Sequence, residues 1–161
     1  MALIEQRLQA MGLVLPPPIQ TPPGVKLPFP FARVLGTRVL ISGHGPLNDD
    51  GSLAHPLGKL GRELNVEQGQ AAARRTALSI LASLKLVLGD LDRIAAWTRV
   101  FGMANSAPGF TQQPAVMNGF SELILALYGD ERGQHVRSAV GMAELPFNIP
   151  LEIEGEVLIA A

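Results

Sequence analysis

The chain has 161 residues, a formal net charge of −1 and 17% charged residues. This length favours one domain with a substantial hydrophobic core, and the near-neutral charge argues against a nucleic-acid-binding protein. The absence of cysteine excludes disulfides, a thiolate nucleophile and a cysteine-ligated zinc site.

The hydropathy pattern favours a soluble, cytoplasmic protein without a membrane partner. The N-terminal segment is amphipathic and carries charge within its first residues, unlike a secretory signal peptide. No apolar run approaches the roughly 20 residues of a membrane span. Aromatic residues make up only 5% of the chain although its mean hydropathy is +0.24. We therefore expect an aliphatic core, with some apolar surface buried between subunits.

The first 26 residues are expected to precede the main domain. A short helix is predicted from three apolar residues at helical spacing, Ile4, Leu8 and Met11. Five prolines follow between residues 15 and 24, which is typical of an extended arm. The arm is interpreted as a linker or as a segment that wraps around a neighbouring subunit. The expected division is residues 1–26 for helix and arm, and 27–161 for the domain.

A β-hairpin is predicted over residues 31–43, with Gly36-Thr37 as its turn. The run Val39-Leu40-Ile41 is continuously apolar, which is typical of a strand buried on both faces. The cluster of Asn, Asp and Gly at residues 48–51 predicts another turn.

Two helices and a strand follow the hairpin. The first helix begins at Asn65, which forms a capping box with Gln68, and ends at Gly89. Its apolar stripe consists of Ala72, Leu78, Leu81, Leu84 and Leu88. A strand is expected from about residue 94 to 103, and a second helix over residues 113–128, with a proline in its first turn.

The segment from His135 to Val157 predicts two final strands, the first of which carries an arginine. By the period-two rule, Arg137 shares a face with Ala139 and Gly141. These small residues leave room beside a fixed cation, as a small anionic ligand needs. In the last strand, apolar residues alternate with glutamates from residue 151 to 157, the pattern of a half-buried strand.

The order of these elements predicts an α+β fold of a single domain. Strands, helix, strand, helix and two strands follow one another, so that the helices cross to one face of a mixed sheet.

Arg137 and Glu152 are the first candidates for functional residues. The planar fork of Arg137 matches the two oxygens of a carboxylate, although a structural ion pair or an exposed edge position also explains an arginine there. Glu152 is a candidate general base or water-orienting group, although a glutamate on an exposed strand is usually only solvated. If the last two strands form a hairpin, Arg137 and Glu152 are separated by several residue pairs along it. One joint site would then need a neighbouring chain.

The remaining motifs are weaker signals. The three histidines, His44, His55 and His135, lack metal-ligand spacing, so no metal site is expected. His135 lies two residues before Arg137, on its side of the strand, and is a candidate for a substrate contact. Residues 42–45 match neither a nucleophile elbow nor a phosphate-binding loop. Their glycines instead allow backbone N–H groups to approach a ligand closely.

Several motifs occur together in this chain: Val39–Gly43 followed by Pro46, Asn118, Arg137–Val140, and Leu145-Pro146 with Leu151–Glu154. In combination they resemble the reactive intermediate deaminase (Rid) family, also called YjgF-like or endoribonuclease L-PSP. The resemblance covers roughly residues 27 to 159. The proline-rich extension and the residues around Arg137 are similar to the longer-chain subgroup of this family.

The resemblance implies a chorismate-mutase-like fold, with two main helices on one face of a mixed sheet, assembled as a homotrimer with three clefts between subunits. It also implies a hydrolase that converts 2-imino or enamine acids to 2-keto acids and ammonia without a cofactor. In this family Arg137 corresponds to the arginine that binds the carboxylate of a small-molecule substrate. Glu152 corresponds to the glutamate that positions the attacking water.

Further residues are assigned to the substrate-binding cleft by the same resemblance. Gly43 and Ala139 match positions whose backbone groups line the cleft, and Asn118 matches a polar residue near it. Phe29 lies near a position where the deaminase pattern has a tyrosine, so that the hydroxyl group is missing here.

Two other functions remain open at this point. The same trimer could bind a small carboxylate metabolite at Arg137 without turnover, as a sensor. An endoribonuclease ranks lowest, because the chain is slightly acidic and has one Trp and one Tyr for base stacking. It also shows no histidine pair in a catalytic arrangement.

Overall fold

The computed structural model describes residues 3–19, 21 and 23–160. Within these residues, the helices and strands in chain order are α1 (Leu3–Ala10), β1 (Ala32–Leu35), β2 (Arg38–His44), α2 (Val66–Leu88), β3 (Ile94–Asn105), α3 (Gln113–Gly133), β4 (Val136–Met142) and β5 (Leu151–Ile159). The strands form one sheet in the order β1-β2-β5-β3-β4. The α+β class is confirmed.

The sheet is mixed, and β3 lies between the last two strands. β1 and β2 form the antiparallel hairpin predicted around Gly36-Thr37. β5 pairs antiparallel with both β2 and β3, whereas β4 runs parallel to β3. The assumption that β4 and β5 form a hairpin is therefore wrong. The α3 crossover places β4 parallel to β3, and the following turn carries the chain past the end of β3 to its other side.

The helix α2 begins and ends where the sequence indicates. The Asn65 side chain accepts a hydrogen bond from the Gln68 backbone N–H at 2.8 Å, and the Gln68 side chain accepts one from the Asn65 N–H at 3.0 Å. Gly89 ends the helix with a φ of 76°. The five residues of the predicted apolar stripe are all buried in the core. The capping box and the stripe are confirmed.

The helix α3 is longer than the sequence indicates. Gly129 adopts a φ of 73° but only kinks the helix, which continues to Gly133. Arg132 in this last turn donates hydrogen bonds to the carbonyl oxygens of Asp92 and Ile94, at 2.9 and 3.0 Å. These contacts hold the extra turn against the start of β3. The predicted end of the helix at residue 128 is therefore wrong by one turn, which follows the kink at Gly129.

The face of the sheet opposite α2 and α3 is open in the single chain. Val39 and Ile41 point to the helices and are buried, but Leu40 points to the open face and is 37% exposed. The expectation that Val39-Leu40-Ile41 is buried on both faces is therefore wrong for one chain. The helices of one chain cover only one side of the sheet, so Leu40 on the other side stays exposed to solvent.

The helix α1 packs onto the same core. Ile4 and Leu8 are buried, and the Asp92 carboxylate accepts hydrogen bonds from the first two backbone N–H groups of the helix. In the arm that follows, Pro16 is buried, whereas Pro22 lies outside the described residues. The division at residue 26, and the wrapping of a neighbouring subunit, stay predictions. None of the helices in the described ranges is long and apolar enough to cross a membrane.

Candidate active site

The register of the sheet places Arg137 and Glu152 on opposite faces. Arg137 pairs with Val100 of β3, which is 1% exposed and points to the helices. Glu152 pairs with Met103, an odd number of residues further along β3, and therefore points to the open face. The two Cα atoms are also separated by about 10 Å along the strands and about 10 Å across them. One chain does not bring the two residues together.

The guanidinium group of Arg137 is held by three uncharged oxygen atoms of α3. Its Nη1 donates to Asn118 Oδ1 at 3.2 Å and to Ser121 Oγ at 3.0 Å, and its Nη2 donates to the Pro114 carbonyl at 3.2 Å. Within the described residues it forms no ion pair, and two of its five N–H donors remain unused. Burial lowers the pKa of Arg137 below its usual value. A partly buried cation without a counter-ion is the result.

Ser121 is a site residue that the sequence interpretation missed. Its hydroxyl lies 3.0 Å from Arg137 Nη1 and 2.9 Å from His135 Nε2, and so connects the two side chains. The other ring nitrogen of His135 lies 2.8 Å from the Gly133 carbonyl oxygen. The helical spacing of Ser121 from Asn118, three residues, would have placed it on the same helix face. We call Arg137, Asn118, Ser121 and His135 the arginine group.

The small residues that follow Arg137 in β4 are packed against α3 and the preceding loop. Ala139 is half-buried against the core. A Cβ atom at Gly141 would lie 2.9 Å from Ser106 Oγ and 3.1 Å from Gln113 Nε2. The space expected beside the arginine is therefore already filled at Gly141 by side chains of the same chain.

Glu152 and Gly43 are in direct contact on the open face. A Cβ atom at Gly43 would lie only 1.8 Å from Glu152 Oε1, so only a glycine leaves room for this carboxylate position. The register between β2 and β5 shifts between Ile41 and His44, next to this contact. Burial, and secondarily the negative charge of Glu154, raise the pKa of Glu152 above its usual value. We call Glu152 and Gly43 the glutamate group.

Phe29 lies just before β1, and its ring contacts connect it to the side of β2 that α2 covers, not to Glu152. Its ring is 49% exposed and contacts Phe31 at a centroid distance of 5.7 Å. Phe31 in turn contacts the ring of His44, the neighbour of Gly43, at 5.3 Å. The site residues expected from the sequence are thus not brought together in one chain: Arg137 and Glu152 lie in different groups, and Phe29 belongs to neither. His55 is exposed and belongs to neither.

Neither group lines the two cavities that lie along α2. A cavity of about 400 Å³ lies between α1 and α2, and one of about 340 Å³ continues along α2 past Arg74 and Arg75. Within the described ranges, no group of three or more His, Asp or Glu side chains is placed to hold a metal ion. The arrangement offers a cation on the helix side of the sheet and a carboxylate on its open face.

Comparison with known proteins identifies the family. The family described as "YjgF/chorismate_mutase-like, putative endoribonuclease" matches residues 5–152. Protein TCP17 of Trypanosoma cruzi is 41% identical over 142 residues, which covers 83% of this chain and 88% of that protein.

Two crystal structures are similar to the chain over almost its whole length. Atu1372 from Agrobacterium tumefaciens, of unknown function, has 36% identity and a TM-score of 0.87, and the match covers 99% of this chain and 94% of that one. A Shewanella oneidensis protein that carries the endoribonuclease label has 29% identity and a TM-score of 0.85, over 97% and 99% of the two chains. The chain belongs to the YjgF/chorismate-mutase-like family, the Rid family that its motifs resemble.

Proposed function

We propose that the protein hydrolyses 2-imino acids, and their enamine tautomers, to 2-keto acids and ammonia. The observation that carries this proposal is the state of Arg137, a partly buried cation whose hydrogen bonds, among the residues described, all go to uncharged oxygens. A carboxylate is the ligand that stabilises such a guanidinium group most, because it supplies the missing negative charge and accepts hydrogen bonds from the two unused N–H groups. Every 2-imino acid carries such a carboxylate next to its reactive C=N bond.

Glu152 is proposed to activate the attacking water. A carboxylate whose pKa is raised is a better base near neutral pH than an ordinary glutamate. A lone pair of the water oxygen forms the new C–O bond while the C=N π electrons move to nitrogen. Glu152 takes a proton from the water, and the O–H electrons stay on oxygen; the proton then passes to nitrogen. The tetrahedral intermediate then expels ammonia and leaves the 2-keto acid. The C=N carbon is already electrophilic, so orientation of the two reactants supplies much of the rate.

The two halves of the site are proposed to meet between subunits. Arg137 and Glu152 lie on opposite faces of the sheet, so in a cyclic assembly the arginine group of one subunit can face the glutamate group of the next. Exposed apolar side chains on the open face, among them Leu40 and Val140, supply surface for such a contact. We propose a homotrimer with three clefts.

An imine-hydrolysis assay tests this function. An amino-acid oxidase generates 2-iminobutyrate in situ, semicarbazide traps the imine that remains, and ammonia and trapped imine are followed for the wild type, Arg137→Ala and Arg137→Lys. The wild type should deplete the imine faster than buffer does, and Arg137→Ala should not. Arg137→Lys should be intermediate at best, because an ammonium keeps the charge without the planar fork. Imine depletion at the rate of buffer for all three proteins, across several imino acids, rejects the proposal.

The same proteins distinguish a binding module from an enzyme. Titration with 2-oxobutyrate measures carboxylate binding without any reaction. Saturable binding to the wild type, lost in Arg137→Ala and unaccompanied by imine hydrolysis, would assign Arg137 to a non-catalytic carboxylate site.

A further inference from the structure

We infer that Ser121 and His135 are positioning residues, which hold the Arg137 guanidinium in the orientation that accepts a carboxylate. The inference rests on the proposed function, because it assumes that Arg137 binds the substrate. Neither residue needs to contact the substrate for this role. Both ring nitrogens of His135 already lie within hydrogen-bond distance of oxygen atoms of its own chain.

The directions of the hydrogen bonds follow from the acceptors present. A carbonyl oxygen only accepts, so the His135 nitrogen that faces Gly133, Nδ1, carries the proton. Burial lowers the pKa of His135 below its usual value, which favours the neutral ring, whose Nε2 is an acceptor. The Ser121 hydroxyl therefore donates to His135 Nε2, across 2.9 Å.

This arrangement fixes which part of Ser121 faces the arginine. Because the hydroxyl proton is directed to His135, the lone pairs of Ser121 Oγ are left to accept the N–H of Arg137 Nη1, at 3.0 Å. Without His135, the hydroxyl of a helical serine commonly turns to the carbonyl one turn earlier in its own helix. The imidazole thus keeps the serine available to Arg137.

The chain of hydrogen bonds orders Arg137 without neutralising it. Ser121, Asn118 and the Pro114 carbonyl are uncharged acceptors. An aspartate at position 121 would hold the guanidinium at least as firmly, but it would also compete with the substrate carboxylate for the positive charge. Serine with a neutral histidine behind it gives order and leaves the charge for the ligand.

The experiment measures the affinity for 2-oxobutyrate in the full-length protein. Ser121→Ala should weaken binding by about tenfold, the effect of one hydrogen bond to a charged group, and Ser121→Thr, which keeps the hydroxyl, should restore it. In an Arg137→Ala background, Ser121→Ala should have no further effect, because Ser121 acts through Arg137. The matched control is Ser52→Ala, which removes a hydroxyl from an exposed bend outside the arginine group.

A second readout does not depend on the ligand. Side-chain ¹⁵N NMR reports the rotation of the Arg137 guanidinium, which should be slow in the wild type and Ser121→Thr and fast in Ser121→Ala and His135→Leu. If the wild type neither binds 2-oxobutyrate nor hydrolyses the imine but these rotation rates hold, the proposed function fails and the positioning role stands. Unchanged rotation in Ser121→Ala, additive effects of Ser121→Ala and Arg137→Ala on binding, or an equal loss in Ser52→Ala overturns the inference.

Discussion

Arg137 and Glu152 lie on opposite faces of one sheet, and β3 runs between their two strands. No rotamer change within one chain can bring a guanidinium on the helix face next to a carboxylate on the open face. If both residues serve one reaction, the site must include residues of two subunits.

Mixing two inactive variants should restore activity. When Arg137→Ala and Glu152→Gln subunits are unfolded and refolded together in equal amounts, about a quarter of the clefts between subunits should combine an intact arginine with an intact glutamate. The imine-hydrolysis rate should then reach about a quarter of the wild-type rate. Each variant refolded alone is the control and should stay inactive. Mixtures that remain as inactive as their components would assign Arg137 and Glu152 to separate roles.

The pH dependence of turnover should report the ionisation of Glu152. Only the carboxylate form accepts a proton from water, so kcat should rise as the pH rises through the raised pKa of this residue. Glu154→Gln removes a nearby negative charge, lowers the pKa of Glu152, and should shift the acid limb to lower pH. Glu156→Gln is the control, because Glu156 is paired with Arg38 and does not raise the pKa of Glu152. An acid limb that stays in place in Glu154→Gln would separate Glu152 from the proton transfer.

Gly43→Ala should lower the rate of imine hydrolysis because it displaces the Glu152 carboxylate. The added Cβ atom would meet Glu152 Oε1 at 1.8 Å, so the carboxylate must move, which a half-exposed side chain can do without unfolding the sheet. We expect kcat/KM to fall by more than tenfold, the loss that misplacement of a catalytic group by about 1 Å produces, with an unchanged circular dichroism spectrum. Gly43→Ala should add nothing to Glu152→Gln, since the affected group is already inactive. Full activity of Gly43→Ala would show that the exact position of Glu152 is unimportant.

Apart from the α+β class and the family, the features that the sequence predicted correctly are local ones. The capping box of Asn65 and Gln68 and the turn at Gly36 depend on residues within a few positions of each other, and both are present. The insertion of β3 between β4 and β5 depends on the direction in which α3 crosses the sheet, which no local pattern specifies.

The same limit applies to the candidate site. Arg137 and Glu152 were identified from their residue types and motifs, but the contact between Ser121 and Arg137 joins residues 16 positions apart. It exists only because α3 packs over β4. The open face was missed because the apolar run at Leu40 does not reveal whether a helix or another subunit covers it.

The open face of the sheet should be buried in the oligomer. Leu40 lies opposite Glu156 on this face, so Leu40→Glu would place two carboxylates side by side in an apolar contact. Light scattering should give three times the chain mass of 17.1 kDa for the wild type and a lower mass for Leu40→Glu, with loss of imine hydrolysis. Leu86→Glu is the control, since Leu86 is 67% exposed on α2. An unchanged mass in Leu40→Glu would exclude this face from the interface.

Protonation of His44 should destabilise the fold in mild acid. His44 is 1% exposed, its Nδ1–H donates to the Ser42 carbonyl at 2.7 Å, and its Nε2 accepts from Ser83 at 2.8 Å. Burial lowers its pKa from 6.5 to about 4, so the unfolded chain binds this proton more tightly than the folded one. The free energy of unfolding should have its full value above about pH 6.5 and should decrease by ~3 kcal/mol as the pH falls to about 4. Denaturant unfolding at fixed protein concentration measures this dependence of the free energy of unfolding on pH. His44→Gln should reduce the dependence, and His55→Gln, at an exposed site, should not. Titration of the His44 ring near 6.5 by NMR would contradict the expectation.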